Sequence, residues 1–265
     1  MLSARSSRGP ASSVASCGLP DRERDSHTEH MNTPQDVEPG EDSAESASDR
    51  DEGGKLPAKI SDIHLSFSVR RPIIDDGSRG IERWTVSAVA NGPESRDGQA
   101  THQPVGELQI LIVDLLKCPD PWEALDSSND NIAHIGETVF DVNSGQLTER
   151  LDARLDRVGH RVLVLDRVEL QPQWQRHNLA ALLAGESLDQ LRTGCRVALC
   201  FPGPLERFDA TDEEHENAAQ RMTGVWSQLG FSPFDEGVWL LDPNRRTLDD
   251  SRAALRTRHG LTPHV

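Results

Sequence analysis

Two short runs in which nearly every side chain is apolar, Val162–Leu165 (VLVL) and Cys195–Phe201 (CRVALCF), flank one helix-length segment and constrain this chain more than anything else in it. A strand that is apolar at consecutive positions has both faces buried, which belongs to the interior of a sheet rather than its rim. After the first run, Asp166, Arg167, Val168, Glu169 and Leu170 return to alternation, and Pro172 ends the strand by removing a ladder donor. Asn178 then stands at a helix start, where asparagine is a favoured N-cap. Ala180, Ala184, Leu188 and Leu191 repeat at helical spacing, and Gly194 stands where a left-handed C-terminal cap is expected. Strand, helix and strand in this order predict a right-handed crossover and a parallel pair.

The turn feeding the helix is Gln175, Arg176, His177, Asn178, Leu179 and Ala180. Unpaired N–H groups and the positive end of the helix dipole make such a turn able to hold a phosphate or diphosphate. The turn resembles the diphosphate-binding motif of the GNAT superfamily of N-acetyltransferases: Gln or Arg, two residues, Gly, one residue, then Gly or Ala. Gln175 and Ala180 match its ends. Asn178 replaces the usual glycine, and asparagine is among the few side-chain-bearing residues that tolerate positive φ. Trp174, directly before the turn, and the apolar strand add to the likeness, which covers Arg161 to Asp242 and includes Leu229-Gly230-Phe231 as the ending of a helix.

That resemblance implies an α/β (α+β) fold, a mixed central sheet flanked by helices. It also implies acetyl-CoA as co-substrate, no metal, and transfer of an acyl group to an amine of a small molecule or a protein. By position, Val168, Glu169 and Leu170 would pair with the pantetheine arm, and one strand N–H would polarise the thioester carbonyl. The amides of Gln175, Arg176, His177, Asn178, Leu179 and Ala180 would hold the diphosphate. Glu169 is the candidate general base, or else a strand-end carboxylate paired with a neighbouring arginine. Arg176 is the candidate phosphate partner, with His177 either a second one or a solvent-facing turn residue. The family often carries a tyrosine four residues before the glycine of Gly-Phe; here that position is Trp226, and the chain has no tyrosine. An indole N–H gives up no proton near neutral pH. Either the thiolate leaves unassisted, or another group or water serves, or the chain is a non-catalytic module of the same fold, binding acyl-CoA or a protein partner.

Upstream, Ile63, Leu65, Phe67 and Val69 alternate with polar residues, as do Trp84, Val86, Ala88 and Ala90, and a third strand spans Val105 to Val113. Short connections predict an antiparallel meander, with Asn91 to Pro104 as a polar loop. Two helices are expected between Pro119 and Val158, divided by Gly145; the family places its helices after its first strand. Thr211 and Glu214 form a capping-box pair for a helix carrying Ala218, Met222, Val225 and Leu229, and a last strand spans Gly237 to Leu241.

Residues 1–57 hold 12 acidic and 6 basic residues, −6 of the net −16 of the 265-residue chain, with almost no apolar periodicity, and read as a disordered tail. The domain is expected over 58–243, followed by a polar tail over 244–265 that is loosely held or helical. Met31 is an alternative start. An acidic chain without a basic stripe argues against nucleic-acid binding, and no apolar run spans a bilayer. Cys17, Cys118, Cys195 and Cys200 lack framework spacing, and uniform alternation puts Cys195 and Cys200 on opposite faces of one strand. A reducing, cytoplasmic setting fits. The oligomeric state stays open, a homodimer included.

Overall fold

The computed structural model describes residues 56–70, 79–94, 100–156, 158–175, 177–202, 220 and 222–261. Residues 1–55 of the expected 1–57 tail, Arg176 and the Thr211–Glu214 capping box lie outside them. A seven-stranded sheet runs through the domain: β1 (Ile63–Arg70), β2 (Ile81–Glu94), β3 (Ala100–Asp114), β4 (Arg161–Leu170), β5 (Cys195–Cys200), β6 (Ser232–Asp235) and β7 (Val238–Leu241). Their order is β1-β2-β3-β4-β5-β7-β6, and β4 with β5 is the parallel pair among antiparallel neighbours. The fold is therefore mixed α/β, with the two doubly apolar runs at its centre. The meander β1 to β3 forms as expected. Asn91 to Pro104 is not a loop throughout, however, because β2 runs on to Glu94 and β3 begins at Ala100, with a register shift between Asn91 and Glu94 absorbing the irregular stretch.

Helices cover both faces. On one, α4 (Leu179–Leu191), residues 222–228 (α5) and α6 (Arg246–Arg258) enclose Leu108, Ile110, Leu163, Leu165, Ala198 and Cys200. On the other, α1 (Pro121–Asp126), α2 (Asp130–Val139) and the single turn α3 (Glu149–Asp152) pack on Leu111, Val113, Val162, Val164, Val197 and Leu199. Side-chain caps explain where α1 and α2 begin: Asp120 accepts from the Glu123 N–H (3.0 Å), and Asn129 from that of Ile132 (2.9 Å). The expected pair of helices thus becomes three pieces. Leu147, expected in the second helix, instead bridges Phe140 as a strand.

Two further expectations are corrected. Cys195 and Cys200 share a face, because Arg161 pairs Cys195 and Val162 pairs Val197, leaving Arg196 as an extra residue that resets the alternation. Both are free and buried, and burial pushes the Cys195 thiol up to about 11. The last strand is in fact a hairpin, β6–β7: Pro233 and the four-residue length hide its first strand in the sequence, while Glu236 and Gly237, both at positive φ (46° and 80°), form its two-residue turn.

α4 is not a surface helix with one apolar stripe; Ala181 to Gly185 are all buried. Its outer side lies against α6, which runs antiparallel to it, and Glu186 joins the two. Arg256 Nε donates to Glu186 Oε1 (2.8 Å) and Arg252 Nη2 to Oε2 (2.9 Å). Burial works to raise the Glu186 pKa, and the hydrogen bonds from Arg256 and Arg252 more than offset it, so the carboxyl lies below its ordinary range. The segment after Pro243 is consequently a packed helix with Leu248 and Leu255 buried.

Glu186→Gln is expected to lower stability by about 1–3 kcal/mol in urea denaturation near neutral pH, the usual worth of a hydrogen bond to a charged group. A depressed folded pKa contributes stability above the ordinary carboxylate range, and that contribution fades as pH falls through the folded value. The difference between wild type and variant therefore narrows on acidification.

Candidate functional site

The site is built where β4 outlives its partner. β4 and β5 pair over five rungs, from Arg161 with Cys195 to Leu165 with Cys200, and β5 ends there, two residues before Pro202, which has no N–H to donate. β4 continues to Leu170, still paired to β3 through Leu170 with Gly106. Along Asp166 to Leu170, the edge facing β5 has no ladder partner among the described residues; the Leu170 carbonyl is taken by the Gln175 side chain (3.0 Å), which leaves the other outward groups of this edge open to water or a ligand. A register shift also falls here. Leu165 pairs Ile110 and Arg167 pairs Gln109, which leaves Asp166 as a bulge residue at the point of separation. Gly106 permits the close packing of the strand end: a Cβ there would lie 2.3 Å from the Glu169 carbonyl oxygen.

The chain turns at once from this free edge into α4. Gln171 N donates to the Val105 carbonyl (2.9 Å), a single 3-10 turn spans Pro172–Trp174, and Gln175 Nε2 donates to the Leu170 carbonyl (3.0 Å). Trp174 is fully buried and is the peg on which the turn is set. Asn178 has φ 53° and ψ 18°, the left-handed conformation, and its side chain makes no cap hydrogen bond. The expectation of side-chain capping is thus overturned: this asparagine serves by reaching αL, as a glycine would. As in any helix the first N–H groups of α4 have no intrahelical acceptor, and here, unlike in α1 and α2, no N-cap side chain takes one of them.

Of the residues expected from sequence, Gln175, His177, Asn178, Leu179 and Ala180 cluster at this helix start, and Val168, Glu169 and Leu170 lie on the strand that leads to it. Leu179 is buried, Ala180 and His177 half-buried, Gln175 and Asn178 exposed. His177 is close enough to the end of α6 to influence His259, whose pKa is lowered by burial first, then by Arg258 and His177. Glu169 is exposed, its carboxylate held by Arg167 on the same strand (3.2 Å) and directly across from Glu107 on β3. Trp226 is buried against Phe231 with ring centroids 6.3 Å apart, a packing role.

Sequence reasoning misses Asp166. Both of its carboxylate oxygens accept from Nδ2 of Asn129 (3.0 and 3.1 Å), the residue whose Oδ1 caps α2. No spacing rule links positions 37 apart; an aspartate directly after a doubly apolar run is the available signal. Among the described residues, no group of three or more His, Cys, Asp or Glu side chains is placed to hold a metal. No helix among them is long and apolar enough to cross a membrane. A cavity of about 650 Å³ lies at the other end of the sheet, beside Leu115, Asp152 and Arg196. Its arginine already pairs with Asp152 (2.7 Å), and the helix start that lines it belongs to the single turn α3, too short to carry a helix dipole of any size, so volume is a poorer guide to chemistry here than the backbone at the end of β4.

Comparison of the chain with protein-family models, with curated proteins and with solved structures gives no match.

The αL requirement at Asn178 is tested by substitution. Asn178→Gly is expected to leave stability within about 0.5 kcal/mol, whereas Asn178→Val costs about 1–2 kcal/mol, the penalty for a branched residue in αL. Guanidinium denaturation of the two variants measures it.

Proposed function

We propose that the chain is an acyl-CoA-dependent N-acyltransferase of the GNAT type, acting in the cytoplasm on an amine of a small molecule or a protein. The observation that carries this reading is the juxtaposition of a strand edge with no ladder partner among the described residues, Asp166 to Leu170, with a helix start lacking a side-chain cap one short turn further on. A diphosphate suits the positive end of α4, and an extended arm carrying amide groups suits the strand edge. Because so little chain separates them, a single ligand with a diphosphate at one end and a peptide-like arm at the other uses both.

In this reading the amides of Leu179 to Ala181 and the turn before them hold the diphosphate, with Arg176 adding charge. Val168 to Leu170 hold the arm in the gap beyond Cys200 and aim its thioester at the bulge. A strand N–H there faces the carbonyl oxygen as it gains charge. The bound amine attacks from the side of the sheet opposite α4, and much of the acceleration comes from holding the two reactants in line. The acidic balance of the chain, −16 overall, suits a cationic acceptor better than a polyanion. The buried, unpaired thiols of Cys118, Cys195 and Cys200 suit a reducing compartment.

A second reading, a non-catalytic module that binds acyl-CoA, is favoured by Trp226: buried and unable to release a proton, it takes the place of the acid that the resembled family often carries.

Acetyl-CoA at a hundred times its dissociation constant is expected to stabilise the fold by about 2.7 kcal/mol, read as a raised melting temperature, with dephospho-CoA retaining most of the shift and N-acetylcysteamine, which lacks the diphosphate, giving none. Thiol release in the presence of spermidine, a lysine peptide or a peptide with a free N-terminus separates catalyst from module. No shift with acetyl-CoA would sink both readings.

A further inference from the structure

The gap between β4 and β5 opens onto two faces of the sheet, and they differ in chemistry. α4 starts on the face enclosed with Leu163 and Leu165, to which Val168 and Leu170 also belong. The bulge alters the residues presented on the other face. Strict alternation from Leu165 would give that face Asp166, Val168 and Leu170; instead the extra residue lets Asp166 point toward α2 while Val168 and Leu170 stay with α4. Arg167 and Glu169, opposite Gln109 and Glu107, share the α2 face. Two carboxylates therefore stand beside the proposed thioester position on the side an acceptor would use, and they are held differently. Glu169 lies further along the strand, exposed, tied to Arg167 (3.2 Å). Asp166 sits one residue past the last β4–β5 rung, half-buried and gripped on both oxygens from a different element.

The grip is specific. Asn129 uses Oδ1 to accept from the first turn of α2 and Nδ2 to donate to Asp166, so its amide orientation is fixed from both ends. Donation from one nitrogen to both oxygens leaves each carboxylate oxygen with a further lone pair, which a protonated amine can use. α2 belongs to the segment between β3 and β4, and its N-cap residue reaches Asp166 at the gap.

Resting on the acyltransferase reading, we propose that Asp166, not Glu169, takes the proton of the acceptor amine, and that Asn129 is a positioning residue that holds it at the mouth of the gap. The acceptor arrives as an ammonium and gives one proton to the Asp166 carboxylate. The freed nitrogen lone pair forms the C–N bond as the carbonyl π pair moves onto oxygen. Collapse breaks the C–S bond, the electron pair leaves on sulfur, and the second nitrogen proton reaches the thiolate through water. Amide and thiol are the products, and the proton on Asp166 returns to solvent.

The test uses the full chain, acetyl-CoA and the amine among spermidine, a lysine peptide and an N-terminal peptide that gives the fastest thiol release. Asp166→Asn is expected to lower kcat by about 10²-fold or more, the ordinary worth of a positioned base, with the acetyl-CoA melting shift retained. Asp166→Ala is expected to regain part of its rate with added formate, and Glu169→Gln, whose backbone still holds the arm, to lose clearly less rate than Asp166→Asn. Asn129→Ala is expected to lower kcat while leaving the KM for acetyl-CoA unchanged. Loss of rate in Glu169→Gln with Asp166→Asn unaffected overturns the assignment. So does a slow Asp166→Asn that has also lost the melting shift, or an Asp166→Ala that formate does not rescue, since both mark a structural role. If the wild-type chain shows the acetyl-CoA shift but releases no thiol with any of the three amines, the module reading stands and this proposal falls with the catalytic one. Normal turnover in Asp166→Asn removes this proposal alone.

Discussion

The parallel pairing of β4 with β5, and its early end, is the constraint on which the site depends. Five rungs bury Val162 to Leu165 and Val197 to Cys200 on both faces, and this fixes the two strands as the centre of the sheet. Apolar burial of this kind, about 25 cal/mol per Å², is the dominant favourable contribution to such a core. Beyond Leu165, however, β3 is the only strand paired with β4 among the described residues. The backbone groups this leaves unpaired are unfavourable unless something satisfies them, and they lie one short turn from a helix start with the same deficit. The central parallel pair brings these two segments together, and the proposed ligand would use both.

α6 supports that arrangement from behind. It lies along α4, with Arg252 and Arg256 on Glu186 and Arg192 spanning Asp189 and Asp249. Because α4 is buried against both the sheet and α6, its start is held in place rather than left to fray. His177 lies near enough to the end of α6 to help lower the His259 pKa, after burial and Arg258.

The central unit is legible in the sequence because its signals are strong and local: two doubly apolar runs, Pro172, a helix-length apolar repeat and Gly194. The turn Gln175 to Ala180 is legible for the same reason, as a contiguous segment between a strand and a helix. What escapes depends on irregularity or distance. Period-two reasoning cannot see a bulge, so it puts Cys195 and Cys200 on opposite faces and passes over Asp166. At Asn178 the tolerance of positive φ is legible in the residue type, whereas the side-chain cap expected of it does not form. Asn129 and Asp166 meet only because α2 crosses toward the β4 edge, which no stretch of sequence announces. β6 is hidden by its length, four residues with a proline among them.

The central claim is that the free edge of β4 and the opening amides of α4 form one continuous binding surface for a diphosphate-bearing acyl carrier. Amide chemical shifts monitored during a titration with coenzyme A test this directly. The account predicts that Val168 to Leu170 and Leu179 to Ala181 move together with a single dissociation constant. Shifts confined to one of the two segments, or saturating at different concentrations in each, would contradict it.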